Sequence, residues 1–344
     1  MAKSMSAEER YELITRNLQE VIGEDELKKL LRSGKQISVY WGTMPTGSVS
    51  IAYFFPMLKV ADFLRAGLKV KILLADLHAA LDGVPWEILN KRYEYYKEVI
   101  LTILKTINVD VKKLEFVKGS EVQLNKDYFN DLLKLTTFTS IHDARKSASE
   151  VVKNMDSEST KLSGLIYPLM QALDEEYLKV DIQFAGVDQR KIMVYARENL
   201  PKIGDKARIE LMTPMIRGLV GEQMSSSDEK TKIDTLSDEE TVKRKINGAE
   251  CAAGNPNNGL MALLKYLIFV LKEDKKEEFV IERPAKFGGD LVYSNYEQVE
   301  KDFVSKKLHP LDLKNSLTKE INVLLRNFQS NDKLKKLHKE AYKN

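Results

Sequence analysis

The stretch that decides the fold runs Gly164-Leu-Ile-Tyr-Pro-Leu-Met-Gln-Ala-Leu-Asp-Glu-Glu-Tyr-Leu-Lys-Val-Asp-Ile-Gln-Phe-Ala-Gly-Val-Asp-Gln-Arg-Lys191. Its first half predicts a helix, in which Tyr167, Gln171 and Asp174 recur at steps of four and three and so share one face. Its second half predicts a buried strand that ends near Gly186, where another helix begins. Open parallel sheets bind ligands at the carboxyl ends of their strands, so both polar groups are expected at one site. The alternative is a capped helix with scattered surface polar residues.

Upstream, the sequence predicts a strand, a helix and a strand joined by short loops. Residues 37–41 and 70–75 are rich in the apolar and β-branched residues of buried strands. Pro56 suits the first turn of the intervening helix, and Gly67 suits its C-terminal stop. Such a unit is almost always right-handed and gives a parallel sheet. Further strands are predicted at 114–117, 180–185 and 208–212.

Helices account for most of the remaining sequence. One apolar stripe predicts a single helix over 8–32, and 121–163 is expected to be a helical insertion between the two halves of the sheet. The composition changes near Lys232, which we take as the domain boundary. The fold class is therefore α/β, with a parallel-sheet domain at 1–232 and an all-helical domain at 233–344. The helices expected in the second domain are 238–246, 260–271, 296–306, 310–325 and a basic terminal helix.

Composition limits the class of protein. Hydrophobic residues make up 43% of the chain and charged residues 31%, which fits a folded globular protein and excludes a disordered one. No apolar run is long enough to span a bilayer, so no membrane association is expected. The single cysteine, Cys251, excludes an intramolecular disulfide and a cysteine-based zinc cluster, and a reducing cytoplasm is the simplest compartment. The net charge of +3 does not by itself indicate nucleic-acid binding.

The deciding stretch closely resembles tyrosyl-tRNA synthetases of the archaeal and eukaryotic cytoplasmic type, which are class I aminoacyl-tRNA synthetases. The resemblance continues, in order, through nearly the whole chain. Its other segments are Tyr40-Trp-Gly-Thr43, Leu74-Ala-Asp-Leu-His78, Met224-Ser-Ser-Ser227, Arg283-Pro-Ala-Lys-Phe-Gly-Gly-Asp290 and His309-Pro-Leu-Asp-Leu-Lys-Asn315. It implies a Rossmann-like catalytic domain, a C-terminal anticodon-binding domain, and a ligase that makes tyrosyl-adenylate and passes tyrosine to the 3′ end of tRNA(Tyr).

The resemblance also implies which residues bind tyrosine. Tyr40 and Asp174 would hydrogen-bond the substrate phenol, which donates and accepts and so needs a partner of each kind. Tyr167, Gln171 and Gln189 match the positions that hold the substrate ammonium. Gly42, Ala75 and His78 are expected to line the same pocket.

ATP, as its Mg²⁺ complex, is the second substrate that the resemblance implies, and no structural metal is expected. The ATP-binding positions would be Gly42, Thr43, Gly47, Gly186, Asp188 and Met224. The two signature motifs correspond to Ser50-Ile-Ala-Tyr53 and Gln223-Met-Ser-Ser-Ser227, which supply the catalytic candidates Ser50, Tyr53, Gln223, Met224, Ser225, Ser226 and Ser227. Ser50 and Gln223 replace the family's usual histidine and lysine, so charge that would stabilise the transition state is missing unless Lys230, Lys232 or a bound cation replaces it.

The RNA contacts are implied in the same way. Lys146 and Arg190 match positions that face the first acceptor-stem pair, although charged helix faces are usually only solvated. Phe287, His309 and Asp312 match anticodon readers, since an aromatic ring stacks an unpaired base and a carboxylate accepts from a guanine edge. The alternative is that Phe287 is core and that His309 with Pro310 only caps a helix. The insertion is expected to form a homodimer interface.

Two other functions stay open at this point. The departures at Ser50 and Gln223 allow a catalytically weakened or inactive relative that binds tyrosine or tRNA. A tryptophanyl-tRNA synthetase is the nearest enzyme in fold, and the pair Tyr40 and Asp174 argues against it.

Overall fold

A computed structural model describes residues 5–152, 160–221 and 230–342 of the chain. The described part divides into two compact units. The first comprises Met1–Thr46, Lys59–Lys97 and Asp110–Met215, and the second comprises Gly47–Leu58, Glu98–Val109 and Ile216–Asn344, so far as those residues are described. The boundary predicted at Lys232 stays a prediction.

The first unit is built on a six-stranded sheet in the spatial order β1-β6-β5-β2-β3-β4. All neighbouring strands run parallel except β1, which pairs antiparallel with β6 at one edge. The chain order reverses between β2 and β5, which places the ends of these two strands side by side, where an open sheet binds ligands. The strands are β1 (Glu20–Ile22), β2 (Ser38–Thr43), β3 (Lys69–Leu74), β4 (Leu114–Lys118), β5 (Ile182–Gly186) and β6 (Ile209–Thr213).

Helices cover the sheet on both faces. Phe184 of β5 meets Phe63 edge-on, with ring centroids 5.1 Å apart, whereas Tyr40 of β2 packs on the other face with Leu73 and Leu178. Strands buried on both faces read as nearly continuous apolar runs, which is why the sequence predicted them well. The helices with residues in this unit are α1 (Ala7–Thr15), α2 (Glu24–Arg32), α3 (Phe54–Arg65), α4 (Asp76–Leu81), α5 (Leu89–Thr106), α6 (Gly119–Gln123), α7 (Lys126–Phe138), α8 (Ile141–Ala148), α9 (Leu162–Tyr177) and α10 (Arg190–Asn199).

The prediction of one helix over 8–32 is wrong. Asn17 and Gly23 adopt the left-handed backbone, at φ +60° and +89°, and these angles interrupt the helix between α1 and α2. The intervening residues form β1, and the Gln19 amide donates to the carbonyl of Met212 at 2.7 Å. The pairing partner is almost two hundred residues away, so the local apolar stripe carried no sign of it.

The insertion between β4 and β5 is helical where it is described, as predicted. It contains α6, α7 and α8 and the start of α9. Gln123, Tyr128 and Leu132 on its inner side are buried, whereas several large apolar side chains on the outside are exposed. These exposed side chains, which we call the insertion patch, are Leu124, Phe129, Leu133, Phe138, Ile141 and Leu162.

The second unit is mainly helical. It also contains a two-stranded antiparallel ribbon, β7 (Phe279–Ile281) with β8 (Leu291–Tyr293), which the sequence did not predict. The stretch predicted as one helix over 260–271 passes through a π-helical segment, Leu264–Phe269. The helices are α11 (Glu239–Gly248), α12 (Gly259–Leu263), α13 (Val270–Lys275), α14 (Tyr296–Val304), α15 (Pro310–Gln329) and α16 (Asp332–Ala341). Across both units, no helix within the described ranges has the length and apolarity needed to cross a membrane.

Candidate active site

Asp174 lies at the centre of the candidate site, on the inner face of α9, with 2% of its surface exposed. Its carboxylate accepts hydrogen bonds from Gln123 Nε2, at 2.8 and 3.1 Å, and from the Tyr128 hydroxyl at 3.0 Å. Burial raises the pKa of Asp174 to about 7, and the two donors act in the opposite direction. Gln123 and Tyr128 thus hold the Asp174 carboxylate in place as a hydrogen-bond acceptor.

Tyr40 projects from β2 into the same buried region. Its hydroxyl is buried and has no hydrogen-bond partner among the described residues. Burial raises the pKa of Tyr40 well above its usual value, and the nearby charge of Asp174 adds to the shift, so the phenol stays protonated. A buried polar group without a partner costs free energy unless a ligand supplies one. Tyr40 and Asp174, the pair predicted from the sequence, thus lie close enough for their charges to interact. The Tyr40 hydroxyl has no hydrogen-bond partner among the described residues.

His78, within α4, is buried beside this group, and its assignment to the tyrosine pocket stays a prediction. Its ring meets that of Tyr167 edge-on at 4.7 Å, and its Nδ1 lies 3.2 Å from Gln123 Nε2. Because an amide nitrogen can only donate, Nδ1 accepts and the proton lies on Nε2. Burial lowers the pKa of His78 to about 4, so the ring is neutral near pH 7. Gly42 and Ala75 lie near Tyr40, since a Cβ on Gly42 would be 3.5 Å from the Tyr40 ring and Ala75 belongs to the same buried cluster as Tyr40.

A chain of polar side chains links the face of α9 to the end of β5. Gln171 Nε2 donates to Gln189 Oε1 at 3.1 Å, and Gln189 Nε2 donates to Asp188 Oδ2 at 2.7 Å. A Cβ at Gly186 would collide with the Asp188 carboxylate, so glycine at this position lets the acid fold back over the strand end. The two polar groups predicted from the deciding stretch therefore meet, and the scattered-surface alternative is wrong for these residues.

Sequence reasoning missed Gln123 and Tyr128. Both come from the insertion, 51 and 46 residues before Asp174, and no spacing in the sequence connects them with it. Asp76 proves to be an anchor for this region, because its carboxylate accepts from the amide and the hydroxyl of Ser120, each at 2.7 Å. This pair of bonds fixes the start of α6, which carries Gln123.

The two RNA candidates of the first unit lie on helices around this site. Lys146 is exposed on α8. Arg190 begins α10 and makes two hydrogen bonds to the carboxylate of Glu20, at 2.7 and 2.9 Å. The structure therefore gives Arg190 a protein partner, and both assignments to RNA stay predictions.

Thr43 ends β2 beside Gly42.

Other predicted residues belong to the second unit. Gly47 and Ser50 lie in the loop before the turn Ile51–Tyr53, and the Ser50 hydroxyl caps that turn by accepting from the amide of Ala52. Lys232 is 1% exposed, and its ammonium donates to the carbonyl of Ser48 at 3.2 Å, whereas Lys230 is exposed. The predictions for Gln223, Met224, Ser225, Ser226 and Ser227 fall outside the described residues.

The anticodon candidates lie in a different part of the second unit. Phe287 is 61% exposed, so the alternative that it is core is wrong. His309 caps α15 by accepting from the amide of Leu311 at 3.2 Å, and Asp312 lies in the first turn of that helix. Arg283 joins the two segments, because it donates to the carbonyls of Gly289 at 2.9 Å and of Lys307 at 3.4 Å.

The family model for class I tRNA synthetases of the W and Y group matches residues 32–326 of this chain. The chain belongs to this family. Within it, the chain is 46% identical to the cytoplasmic tyrosine–tRNA ligase of Saccharomyces cerevisiae, over 99% of this chain and 89% of that protein. It is 50% identical to the cytoplasmic tyrosine–tRNA ligase of Danio rerio over 99% of its length, but it spans only 64% of that relative.

Solved structures of class I synthetases share the fold. The tyrosyl-tRNA synthetase of Archaeoglobus fulgidus, complexed with L-tyrosine, superposes with a TM-score of 0.86 at 37% identity and covers 98% of this chain and 100% of that one. The tryptophanyl-tRNA synthetase of Aeropyrum pernix superposes with a TM-score of 0.71 at 16% identity, over 98% and 88% of the two chains. The second likeness shows the fold alone. The predictions of family and fold class are thus confirmed.

Proposed function

We propose that this protein is a tyrosine–tRNA ligase, which activates L-tyrosine with ATP to tyrosyl-adenylate and transfers tyrosine to the 3′ end of tRNA(Tyr). The observation that carries the proposal is the buried pair of Tyr40 and Asp174, with one unpaired hydroxyl and one carboxylate surrounded by donors. The names of the relatives support it. Their cytoplasmic names also support a place in the cytoplasm.

The pair favours tyrosine over other aromatic amino acids. A substrate phenol can accept from the Tyr40 hydroxyl and donate to Asp174, which satisfies both groups. Phenylalanine would leave both unpaired, and the indole of tryptophan has only a donor, so Tyr40 would remain without an acceptor. This difference argues against the tryptophanyl alternative. We assign the substrate ammonium to Tyr167, Gln171 and Gln189.

We assign ATP, with Mg²⁺ as part of the substrate, to residues of the two signature motifs and of the strand ends. Among the described residues, no group of three or more His, Cys, Asp and Glu side chains is arranged to hold a metal ion. We assign the ribose of ATP to Asp188, whose carboxylate fits against Gly186 because glycine has no side chain. Gly42, Thr43, Gly47 and Met224 would hold the rest of the nucleotide. In this proposal the catalytic domain is 1–232 and the anticodon-binding domain is 233–344.

The tRNA and a second copy of the chain complete the proposed partners. Lys146 and Arg190 would face the acceptor stem, and Phe287, His309 and Asp312 would read the anticodon. The insertion patch supports a homodimer, because six exposed large apolar side chains on one insertion form the kind of surface that a partner subunit covers.

The proposal is tested by tyrosine-dependent exchange of pyrophosphate into ATP. The unmodified protein should catalyse exchange with tyrosine and at least about a hundredfold less with phenylalanine or tryptophan, because each leaves buried polar groups unpaired. Asp174→Ala should weaken tyrosine binding while ATP binding changes little. Normal tyrosine binding without any exchange would instead establish the inactive relative suggested by Ser50 and Gln223.

A further inference from the structure

The loop that carries Gly47 and Ser50 is fastened on one side by backbone pairing. The Ile51 amide donates to the carbonyl of Ile233 at 2.8 Å, and the Thr235 amide donates to that of Val49 at 3.0 Å. These bonds hold the loop against the segment that follows the second signature motif. The opposite side of the loop contacts a different element of the same unit.

The terminal helix reaches this loop from that opposite side. The hydroxyl of Tyr342, just beyond α16, donates to the carbonyl of Gly47 at 2.5 Å. One turn earlier, Nε2 of His338 lies 3.1 Å from the Ser48 hydroxyl, and the two rings pack 5.1 Å apart. Two consecutive loop residues are thus bonded to two side chains on one face of the helix end.

The hydrogen bonds at Ser48 have a fixed direction. Its hydroxyl also bonds to Oδ2 of Asp234, and a carboxylate can only accept, so Ser48 donates there. Ser48 must then accept from Nε2–H of His338. In a nucleophilic triad the histidine lies between serine and acid, whereas here the serine lies between the other two. The arrangement therefore holds a loop and does not activate a nucleophile.

The start of α16 is fixed elsewhere in the same unit. Lys333 bonds to the carboxylate of Glu98 at 2.6 Å, and Asn331 donates to that carboxylate at 3.3 Å. Leu334 and Ala341, near the two ends of α16, are its buried residues. A helix anchored at both ends can hold the backbone that its last side chains contact, and a loop that cradles phosphate must be held in place before the reaction.

We propose that His338 and Tyr342 are positioning residues for the ATP step, because they fix the backbone of Gly47 and Ser48 from the terminal helix. The inference rests on the proposed function, which gives this loop to ATP. We place neither side chain at a reacting atom, because both act through the loop residues to which they bond.

The experiment compares Tyr342→Phe and His338→Ala with the unmodified protein. Each variant loses one hydrogen bond to the loop, so kcat/KM for ATP in tyrosine-dependent exchange should fall about 3- to 10-fold. The dissociation constant for tyrosine, measured by calorimetry, should stay within about twofold. His338→Gln, whose amide can donate to Ser48, should recover most of the loss. Amide hydrogen exchange at 47–51 in the unliganded protein should quicken in Tyr342→Phe.

Lys335→Ala is the matched control, since Lys335 lies on the same helix and its exposed side chain pairs with Asp332 at 3.3 Å. The inference is overturned if Tyr342→Phe and His338→Ala leave kcat/KM for ATP unchanged in an active enzyme. It is also overturned if Lys335→Ala produces the same loss, or if tyrosine affinity falls equally. If the unmodified protein catalyses no pyrophosphate exchange, the proposed function is overturned. Faster amide hydrogen exchange in Tyr342→Phe would then show that the contact is purely structural.

Discussion

Asp174 is the carboxyl group of the candidate site whose pKa lies near neutral pH. Burial raises its pKa to about 7, and the hydrogen bonds from Gln123 and Tyr128 keep it from rising further. A substrate phenol donates a stronger hydrogen bond to the ionised form than to the neutral acid. Affinity for tyrosine is therefore linked to the same equilibrium that sets the charge of Asp174.

We expect the dissociation constant for tyrosine to rise as the pH falls below about 7, by up to about tenfold for each pH unit, because the ionised carboxylate is the stronger acceptor. Tyr128→Phe removes one donor, so the pKa of Asp174 rises and the midpoint should move up by about 0.5–1 pH unit. Calorimetric titration of tyrosine between about pH 5.5 and 9 checks both statements.

Tyr177→Phe serves as the control for that experiment. Its ring packs 4.8 Å from that of Tyr128, but its hydroxyl bonds to Asp131 at 2.7 Å and not to Asp174. It should leave the midpoint in place. A tyrosine affinity that is constant between pH 6 and 8 would show that Asp174 stays ionised throughout.

At this scale, the sequence predicted the two groups that the proposal assigns to the substrate phenol, but not the groups that hydrogen-bond to Asp174. Tyr40 and Asp174 belong to motifs with fixed local spacing. Gln123 and Tyr128 reach Asp174 only because the insertion folds back over α9, and that tertiary contact leaves no periodic pattern in the sequence.

At the scale of elements, the sheet carries a row of polar side chains in its interior. The strand register places Tyr40, Gln183 and Glu210 side by side on β2, β5 and β6. Glu210 and Glu175 of α9 are fully buried, and none of their carboxylate oxygens has a hydrogen-bond partner among the described residues. Burial raises the pKa of both groups, and the charge of Glu175 raises the pKa of Glu210 further.

The raised pKa of Glu210 fixes the sign of its effect on stability. The group favours the folded state below its unfolded pKa, and this advantage is lost as pH rises toward the folded pKa. Glu210→Gln removes the titration, so we expect its free energy of unfolding to exceed that of the unmodified protein by about 1–3 kcal/mol at pH 8. The difference should shrink near pH 5. Urea unfolding at the two pH values measures it.

Glu115→Gln is the matched change, because Glu115 lies in the same sheet with 62% of its side chain exposed, 3.8 Å from Lys71. It should alter the free energy of unfolding by less than about 0.5 kcal/mol at either pH. Destabilisation by Glu210→Gln at pH 8 would mean that the carboxylate is ionised and well solvated in the folded protein.

Most elements of the sheet were predictable because both faces of a parallel sheet are covered and its strands are apolar throughout. The edge strand β1 was not predictable, since its few residues lie within the apolar stripe of a predicted helix. They form a strand only because they pair with β6. The ribbon β7–β8 and the π-helical segment in the second unit were missed for a related reason. Short pairings and a single widened turn change the local pattern of apolar residues too little to be recognised.

At the scale of the whole molecule, the proposed function assigns tyrosine and the anticodon to different units. Tyr40 and Asp174, which the proposal assigns to tyrosine, belong to the first unit, and Phe287, His309 and Asp312 belong to the second. If this division holds, a change in the second unit can weaken tRNA recognition without altering amino-acid activation. Kinetic separation of the two steps therefore tests the organisation of the chain.

Asp312→Ala should raise the KM for tRNA about 5- to 50-fold, because a carboxylate that accepts from a base edge contributes about 1–3 kcal/mol. Tyrosine-dependent pyrophosphate exchange, which needs no tRNA, should stay within about twofold. Val323→Ala on the same helix is the control, since its side chain is 53% exposed and plays no part in the proposal. A parallel fall in exchange and in thermal stability would show that Asp312 stabilises the start of α15 and reads no base. An unchanged KM for tRNA would move the reading of the anticodon away from this helix altogether.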